Sequence, residues 1–164
     1  MIGKNVLTDF STKVCVPVID PTAYVHPLAA VIGNITLGKS VMVSPFAAVR
    51  GDEGQPLYVG DNSNVQDGVV IHALETEMNG QPVEKNLYSV GGKKYAVYVG
   101  SRVSLAHQVQ IIHRVALLVA QRPFISLRIS VVFAWLQSDR RATDQPVLAH
   151  LDETVEFAGE HQRR

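Results

Sequence analysis

The stretch Val31–Val49, VIGNITLGKSVMVSPFAAV, carries the repeat that decides the fold of this 164-residue chain. Its aliphatic residues recur every six positions, at Val31, Leu37, Val43 and Val49. The same phase resumes after two interruptions, at Val59, Val65, Ile71, Val99, Leu105 and Ile111. A helix repeats at about 3.6 residues and a half-buried strand at about 2, so neither explains a sustained period of six. The stretch therefore predicts a solenoid of short strands whose sixth residues point into one interior stack.

Two further features of the repeat support this interpretation. Small or aliphatic residues sit four positions after the repeat residues, at Ile35, Val41, Ala47, Ser63, Val69, Val103 and Val109. Glycine follows the repeat residue at Gly38, Gly60 and Gly100, where we expect it to relieve crowding or supply positive φ at the corners. The pattern resembles the left-handed β-helix of hexapeptide-repeat proteins, an all-β solenoid of parallel strands. We predict this fold over residues 1–113.

The interruptions and the end of the chain depart from the repeat. Asp52–Leu57 is polar and rich in turn residues, which predicts a short excursion, and Ala73–Tyr95 predicts a longer loop. Beyond residue 113 the six-residue phase is lost and the next glycine comes only near the end. We predict a divergent C-terminal region over 114–164, with irregular strands or a helix over Val115–Leu136 and a short helix near 148–160.

Composition points to one soluble globular domain. Apolar residues make up 46% and charged residues 18%, and the formal net charge is zero, which gives no sign of a nucleic-acid or anionic membrane partner. Cys15 is the single cysteine, so no disulfide can form within the chain and a reducing, cytoplasmic location is expected. No apolar signal segment opens the sequence, and Arg122, Pro123 and Arg128 interrupt its most apolar late stretch, which argues against a membrane span.

Three histidines fall in the repeat, at His72, His107 and His113. Neutral imidazole is a good zinc ligand, and three protein ligands with one water describe a catalytic zinc site. Zinc lowers the pKa of its bound water to about 7, which supplies hydroxide at neutral pH. Spacing alone leaves structural or solvated histidines equally plausible, so the sequence offers a metal site as a hypothesis.

Other polar residues gather near these histidines. Arg50, Asp52 and Glu53 lie together at one predicted corner, and Asn64 and Gln66 precede His72. Arg50 and Asp52 are typical of a salt bridge. The carboxamides of Asn64 and Gln66 can cap turns, or they can orient a metal-bound water and its reaction partner.

Three motifs within these segments carry a family resemblance. R-G-D-E-G, N-V-Q-D-G-V-V-I-H and S-L-A-H-Q occur in this order between about Pro17 and about Ile111. Together they resemble the gamma-class carbonic anhydrases. The resemblance implies reversible hydration of carbon dioxide to bicarbonate by a zinc-bound hydroxide, with iron as the alternative metal, at a subunit interface of a homotrimer.

The resemblance also implies a role for each matching residue. His72 and His107 would be metal ligands that meet across the interface, and Glu53 would hydrogen-bond the hydroxide and pass on its proton. Gln66 and Asn64 would orient the hydroxide or the carbon dioxide, and the Arg50–Asp52 salt bridge would tie neighbouring subunits together. The loop after His72 resembles the acidic loop of some members, in which Glu75 would carry the proton outward. The remaining alternative for Glu75 is a solvated loop charge.

The third ligand departs from the family pattern. The repeat makes position 112 equivalent to His72, but the residue there is Ile112, and His113 follows one position late. On a flat strand a shift of one residue turns a side chain to the opposite face, so we expect His113 to bind only through a local bulge. This departure leaves two alternatives to an active anhydrase: a catalytically impaired trimeric scaffold or truncated gene product, and a hexapeptide acyltransferase that shares only the repeat.

Overall fold

The computed structural model describes residues 1–54 and 56–112, together with the backbone of residues 115–117 and 125–127. The strands before the long insertion are β1 (Ile2–Gly3), β2 (Val18–Ile19), β3 (Tyr24–Val25), β4 (Ala30–Gly33), β5 (Ile35–Leu37), β6 (Met42–Val43), β7 (Ala48–Gly51), β8 (Leu57–Val59), β9 (Asn64–Val65) and β10 (Val70–His72). The later strands are β11 (Glu77–Met78), β12 (Gln81–Pro82), β13 (Tyr88–Val90), β14 (Lys93–Tyr95), β15 (Val97–Val99), β16 (Val103–Leu105), β17 (Gln110–Ile112), β18 (Val115–Leu117) and β19 (Ile125–Leu127), with a 3₁₀ turn at Glu84–Asn86.

Three parallel five-stranded sheets form the faces of the molecule. The first sheet has the order β1-β4-β7-β10-β17, the second β18-β15-β8-β5-β2, and the third β19-β16-β9-β6-β3. The chain visits the second, third and first sheets in turn, so each circuit adds one strand to every sheet. Val18 pairs with Thr36, which follows it by 18 residues, as three six-residue repeats require. These parallel sheets fit the predicted left-handed β-helix.

The repeat residues form the interior. In the first sheet Val31, Val49, Ile71 and Ile111 lie opposite one another on successive strands, and each is at most 3% exposed. The residues four positions later, Ser63 included, are buried as well. Branched aliphatic side chains suit this interior because they pack well on a pleated surface, and each contributes about 1.5–3 kcal/mol when buried. The predicted interior stack is therefore confirmed.

Glycine relieves crowding at one corner of the coils. A Cβ on Gly60 would lie 2.7 Å from the carbonyl carbon of Gly100 in the next coil. Gly38 and Gly60 do not adopt positive φ, so close approach of the backbones, and not the left-handed region, explains them. Left-handed backbone occurs instead at non-glycine corner residues in register, as in Ser40, Asn62 and Arg102, with φ of 52°, 58° and 62°.

Both interruptions leave the solenoid between the first and second sheets. The excursion after β7 ends at Pro56, because Leu57 already belongs to β8 and is fully buried. The longer insertion between β10 and β15 contains two short hairpins, β11–β12 and β13–β14, on either side of the 3₁₀ turn. Tyr58 still pairs with Tyr98, so the coil register survives the insertion.

The coil pattern continues past the predicted boundary at residue 113. β18 pairs in parallel with β15, and β19 pairs with β16. Both strands fall within Val115–Leu136, for which the sequence left irregular strands and a helix as alternatives. The predicted helix near 148–160 lies outside the described residues. Within the described parts of the chain, no helix is long and apolar enough to cross a membrane.

Candidate metal centre

His72 occupies the outer face of the first sheet, between Arg50 of β7 and Ile112 of β17. Because side chains alternate along a strand, burial of Ile71 turns His72 outward. Its Nε2 atom lies 3.2 Å from Glu53 Oε1 and 3.5 Å from Asp52 Oδ1. Nε2 and Asp52 Oδ1 are both buried, and neither makes a hydrogen bond within the described residues.

This arrangement fits a metal ligand. Buried polar atoms are nearly always satisfied, because an unpaired one costs about 1–3 kcal/mol. Imidazole nitrogen is a preferred donor to zinc, and carboxylates beside it can hydrogen-bond other groups on the metal. His72 Nε2 is therefore suited to hold a metal ion, with Asp52 and Glu53 beside it.

Arg50 and Asp52 form an ion pair within the chain. The Arg50 guanidinium donates hydrogen bonds from Nη2 at 2.8 Å and from Nε at 3.1 Å to Asp52 Oδ2. Burial acts to raise the pKa of Asp52, but the His72 ring and the Arg50 guanidinium outweigh it and hold the pKa at about 2. Asp52 is therefore ionised at neutral pH, with Oδ2 occupied by Arg50 and Oδ1 directed at His72.

Glu53 has the opposite electrostatic character. Burial raises the pKa of Glu53 above its usual value, and the carboxylates of Glu75 and Asp52 raise it further, against the opposing effect of His72. A carboxyl group whose pKa moves toward neutrality is better matched to proton transfer at neutral pH. The two adjacent carboxylates thus differ: the pKa of Asp52 is lowered, and the pKa of Glu53 is raised.

Asn64 and Gln66 lie on the third sheet, where they form a small polar cluster with Ser104. Ser104 Oγ donates to Asn64 Oδ1 at 2.8 Å, and Gln66 Nε2 lies within 3.4 Å of Asn64 Oδ1 and 3.3 Å of Ser104 Oγ. Asn64 and Ser104 are opposite each other in neighbouring strands. Ser104 belongs to the S-L-A-H-Q motif, but sequence reasoning gave it no role; its alignment with Asn64 one coil earlier was the available signal.

His107 lies at the corner between the third and first sheets, in the coil after His72. Its Nδ1 is 2.9 Å from Asp67 Oδ2, and both side chains are largely exposed. Metal-ligating histidines commonly hold a carboxylate at the ring nitrogen that faces away from the metal. The contact at Nδ1 therefore leaves Nε2 for a ligand. Asp67 is a second residue that sequence reasoning quoted within a motif without assigning it a function.

The structure does not gather the predicted ligands within one chain. His72 lies on the first sheet and His107 at the corner before it, and no cluster of three His, Cys, Asp or Glu side chains that could hold a metal exists among the described residues. The register places Ile112 opposite His72, as the repeat predicts, and an isoleucine has no donor atom. His113, the predicted third ligand, lies outside the described residues.

Curated proteins that are similar to this chain in sequence include an enzyme and an assembly protein. The chain is 58% identical over 111 residues to a carbonic anhydrase of Methanosarcina thermophila, a match that covers 67% of the chain and 45% of that protein. It is 39% identical over 124 residues to the carboxysome assembly protein CcmM of a Nostoc species, covering 76% of the chain and 20% of that protein. The chain therefore spans less than half the length of these relatives.

A weaker similarity is to a solved structure. The match to a hexapeptide transferase family protein of Anaplasma phagocytophilum covers 60% of this chain and 46% of that protein's chain, with a TM-score of 0.44 and 23% sequence identity. No protein-family model matches the chain. The level of identity to the Methanosarcina protein, together with the ordered motifs around Arg50, His72 and His107, confirms the resemblance deduced from sequence. Over its matched residues, this chain belongs to the gamma-class carbonic anhydrase family.

Proposed function

We propose that this chain is a carbonic anhydrase subunit, which hydrates carbon dioxide reversibly to bicarbonate with a zinc or iron ion held at a subunit interface. The observation that carries the proposal is the buried, unpartnered Nε2 of His72 beside Asp52 and Glu53. Similarity to a carbonic anhydrase at 58% identity supports the same reaction. The metal, when bound, would lower the pKa of water to about 7 and so supply a nucleophile at neutral pH.

The residues around the site would divide the remaining work. Glu53, with its raised pKa, would accept the proton that water loses when the hydroxide is regenerated, and exposed Glu75 would pass that proton to buffer. The carboxamides of Gln66 and Asn64 would orient carbon dioxide by hydrogen bonds, and Ser104 would fix the Asn64 side chain through Oδ1. Asp52 would remain ionised and keep Arg50 and the His72 ring in place.

Assembly as a homotrimer forms part of this proposal. No ligand cluster forms among the described residues of one chain, so His107 of a neighbouring copy would have to join His72 in the ligand set. Asp67, in contact with Nδ1 of His107, would orient the ring so that Nε2 faces the metal. The third ligand would be His113, because Ile112 cannot ligate.

The test is metal content together with activity. Zinc and iron per oligomer are measured by mass on the purified protein, and carbon dioxide hydration is followed by stopped flow. We expect about one metal ion per interface, and we expect His72→Ala to lose both metal and activity. His26→Ala is the matched control, because His26 Nδ1 accepts a hydrogen bond from Leu28 N at 3.1 Å and takes no part in the site. A metal-free oligomer without activity would refute the proposal.

A catalytically impaired scaffold is the second candidate, and one observation favours it. Ile112 holds the position that the register makes equivalent to His72. Similarity to a carboxysome assembly protein is compatible with a scaffold role for the same solenoid. Replacing Ile112–His113 by a single histidine separates the two candidates: restored metal binding and activity would identify the extra residue as the lesion, whereas full activity of the natural chain would exclude the scaffold.

A further inference from the structure

The long insertion is fastened to the start of the chain at one point. The Glu77 carboxylate accepts hydrogen bonds through Oε1 from the Thr12 backbone N–H, at 2.9 Å, and from the Thr12 hydroxyl. Next to it the Asn79 N–H donates to the Asp9 carbonyl at 2.7 Å. Glu77 is only 7% exposed although it lies in a surface loop, and the bonds from Thr12 lower its pKa. A buried, charged carboxylate with two donors from one residue is a specific anchor.

The N-terminal side of this contact is itself held in shape. Asn5 is 3% exposed, and its amide donates to Ser11 Oγ at 2.7 Å and to the Lys13 carbonyl at 2.9 Å. Its Oδ1 accepts from the Cys15 N–H at 2.6 Å. Thr12 lies inside the loop that these bonds close. The anchor point therefore belongs to an ordered turn and not to a loose chain end.

The other side of the insertion rests on the excursion that carries Glu53. The Thr76 N–H donates to the Glu53 carbonyl at 3.1 Å, and the Thr76 hydroxyl bonds the same oxygen. A Cβ on Gly54, which has φ +98°, would lie 2.6 Å from Glu77 Cβ, so the two segments touch along their backbones. Asn86 Nδ2 donates to the Glu75 carbonyl at 2.6 Å.

The exposure of successive residues in the insertion shows which of them these contacts hold in place. Thr76 is fully buried and Glu77 nearly so, whereas Glu75 immediately before them is exposed. The backbone of Glu75 is thus fixed on both sides while its side chain stays free in solvent.

We propose that the Thr12–Glu77 contact is a positioning clamp, which holds the insertion against the excursion at Glu53 and Gly54 and so fixes the backbone that carries Glu75. The clamp rests on the proposed function for its purpose. Neither Thr12 nor Glu77 touches the reacting atoms; both act through Glu75. Glu75 then relays the proton of each turnover to a buffer base, so no further reactant is required.

The test uses the complete oligomer with metal bound. Thr12→Val keeps the shape of the side chain and removes its hydroxyl, and Glu77→Ala removes the acceptor. In carbon dioxide hydration, proton removal to buffer enters kcat and the addition step enters kcat/KM. We therefore expect both variants to lower kcat roughly tenfold at low buffer, within the ~10²-fold that a misplacement of about 1 Å can cost, with kcat/KM nearly unchanged.

Four comparisons make the result specific. High imidazole, which accepts the proton in place of Glu75, should restore kcat, and Thr12→Ser should recover most of it. Thr22→Val is the control, because its exposed hydroxyl bonds Asp20 and the Ser40 N–H and makes no contact with the insertion in the described structure. Hydrogen exchange at residues 73–90 should accelerate in Thr12→Val and Glu77→Ala alone, and this readout needs no activity.

Each contrary result has one meaning. If kcat and exchange in both variants match the wild type, no clamp exists. If exchange accelerates but kcat/KM falls along with kcat and imidazole restores nothing, the contact only stabilises the fold, and the relay role is wrong. If the natural oligomer shows no hydration at all, the proposed function fails and the relay with it, while exchange still decides whether Thr12 and Glu77 fasten the loop.

Discussion

Two columns of side chains run side by side along the first sheet, and they follow different rules. The inner column, Val31, Val49, Ile71 and Ile111, is aliphatic on every coil and almost fully buried. The outer column, one residue later, changes from Ile32 to Arg50, His72 and Ile112. Burial requires an aliphatic residue in the inner column on every coil. In the outer column the residue type matters only where a site exists. A coil can therefore lose its ligand and keep its fold.

Shortening a side chain of the inner column should cause the largest loss in the free energy of unfolding. Ile71→Ala removes buried methyl groups from a fully enclosed position and should lower the free energy of unfolding by about 2–5 kcal/mol. His72→Ala, its neighbour on the outer face, should cost less than about 1 kcal/mol in metal-free protein. Urea denaturation of the two metal-free variants measures the difference. Equal losses would contradict the division between the columns.

A methyl group at the crowded corner should disturb the fold without touching either column. Gly60→Ala places Cβ 2.7 Å from the Gly100 backbone, which cannot yield as a flexible side chain can. We expect a loss of about 1–3 kcal/mol in the free energy of unfolding. Gly3→Ala is the matched control, because its Cβ would meet nothing within 4 Å. Similar denaturation midpoints for the two variants would show that the corner adapts.

Placing a histidine at position 112 tests whether this position of the outer column can ligate a metal. Ile112→His places an imidazole at the position opposite His72, and we expect zinc affinity to rise on the order of tenfold, which is about 1.4 kcal/mol. Ile32→His is the control, since it occupies the same column on the first coil, beside Arg50 and away from His72. Competition with a chelator measures both affinities. An equal gain in the control would indicate unspecific binding.

The smallest effect concerns the charge of Asp52 in metal-free protein. Its pKa is lowered to about 2 in the fold from the ordinary 3.8, so its ionisation stabilises the fold above about pH 4 and that contribution disappears as pH falls through about 2. Arg50→Met removes one of the two groups that hold the pKa down. The pKa should rise, and the acid loss of stability should begin at higher pH. Unfolding followed between pH 5 and pH 2 checks this shift, and coincident curves for variant and wild type would refute it.

Sequence alone predicted the inner column well and the outer column in part. A strict six-residue period follows from the geometry of the coil, so Val31 through Ile111 could be placed without coordinates. The equivalence of Ile112 and His72 followed from the same count. The repeat aligns Ser104 with Asn64 and His107 with Asp67 one coil earlier, but alignment alone does not reveal that these side chains bond each other. The strands β18 and β19 fall where the sequence left irregular strands and a helix as alternatives: Leu117 follows Ile111 by six residues, but Leu127 lies outside that phase.

The edge between the first and second sheets also has a practical consequence. In successive coils the chain passes it in one residue after β4, in a short excursion after β7, and in a long detour after β10, yet Thr36, Tyr58 and Tyr98 remain stacked in register. The number of residues between the first and second sheets therefore does not change how the strands pair. A foreign peptide could therefore be inserted at this edge, or new chain termini opened in the β13–β14 hairpin, and the three parallel sheets should form as before.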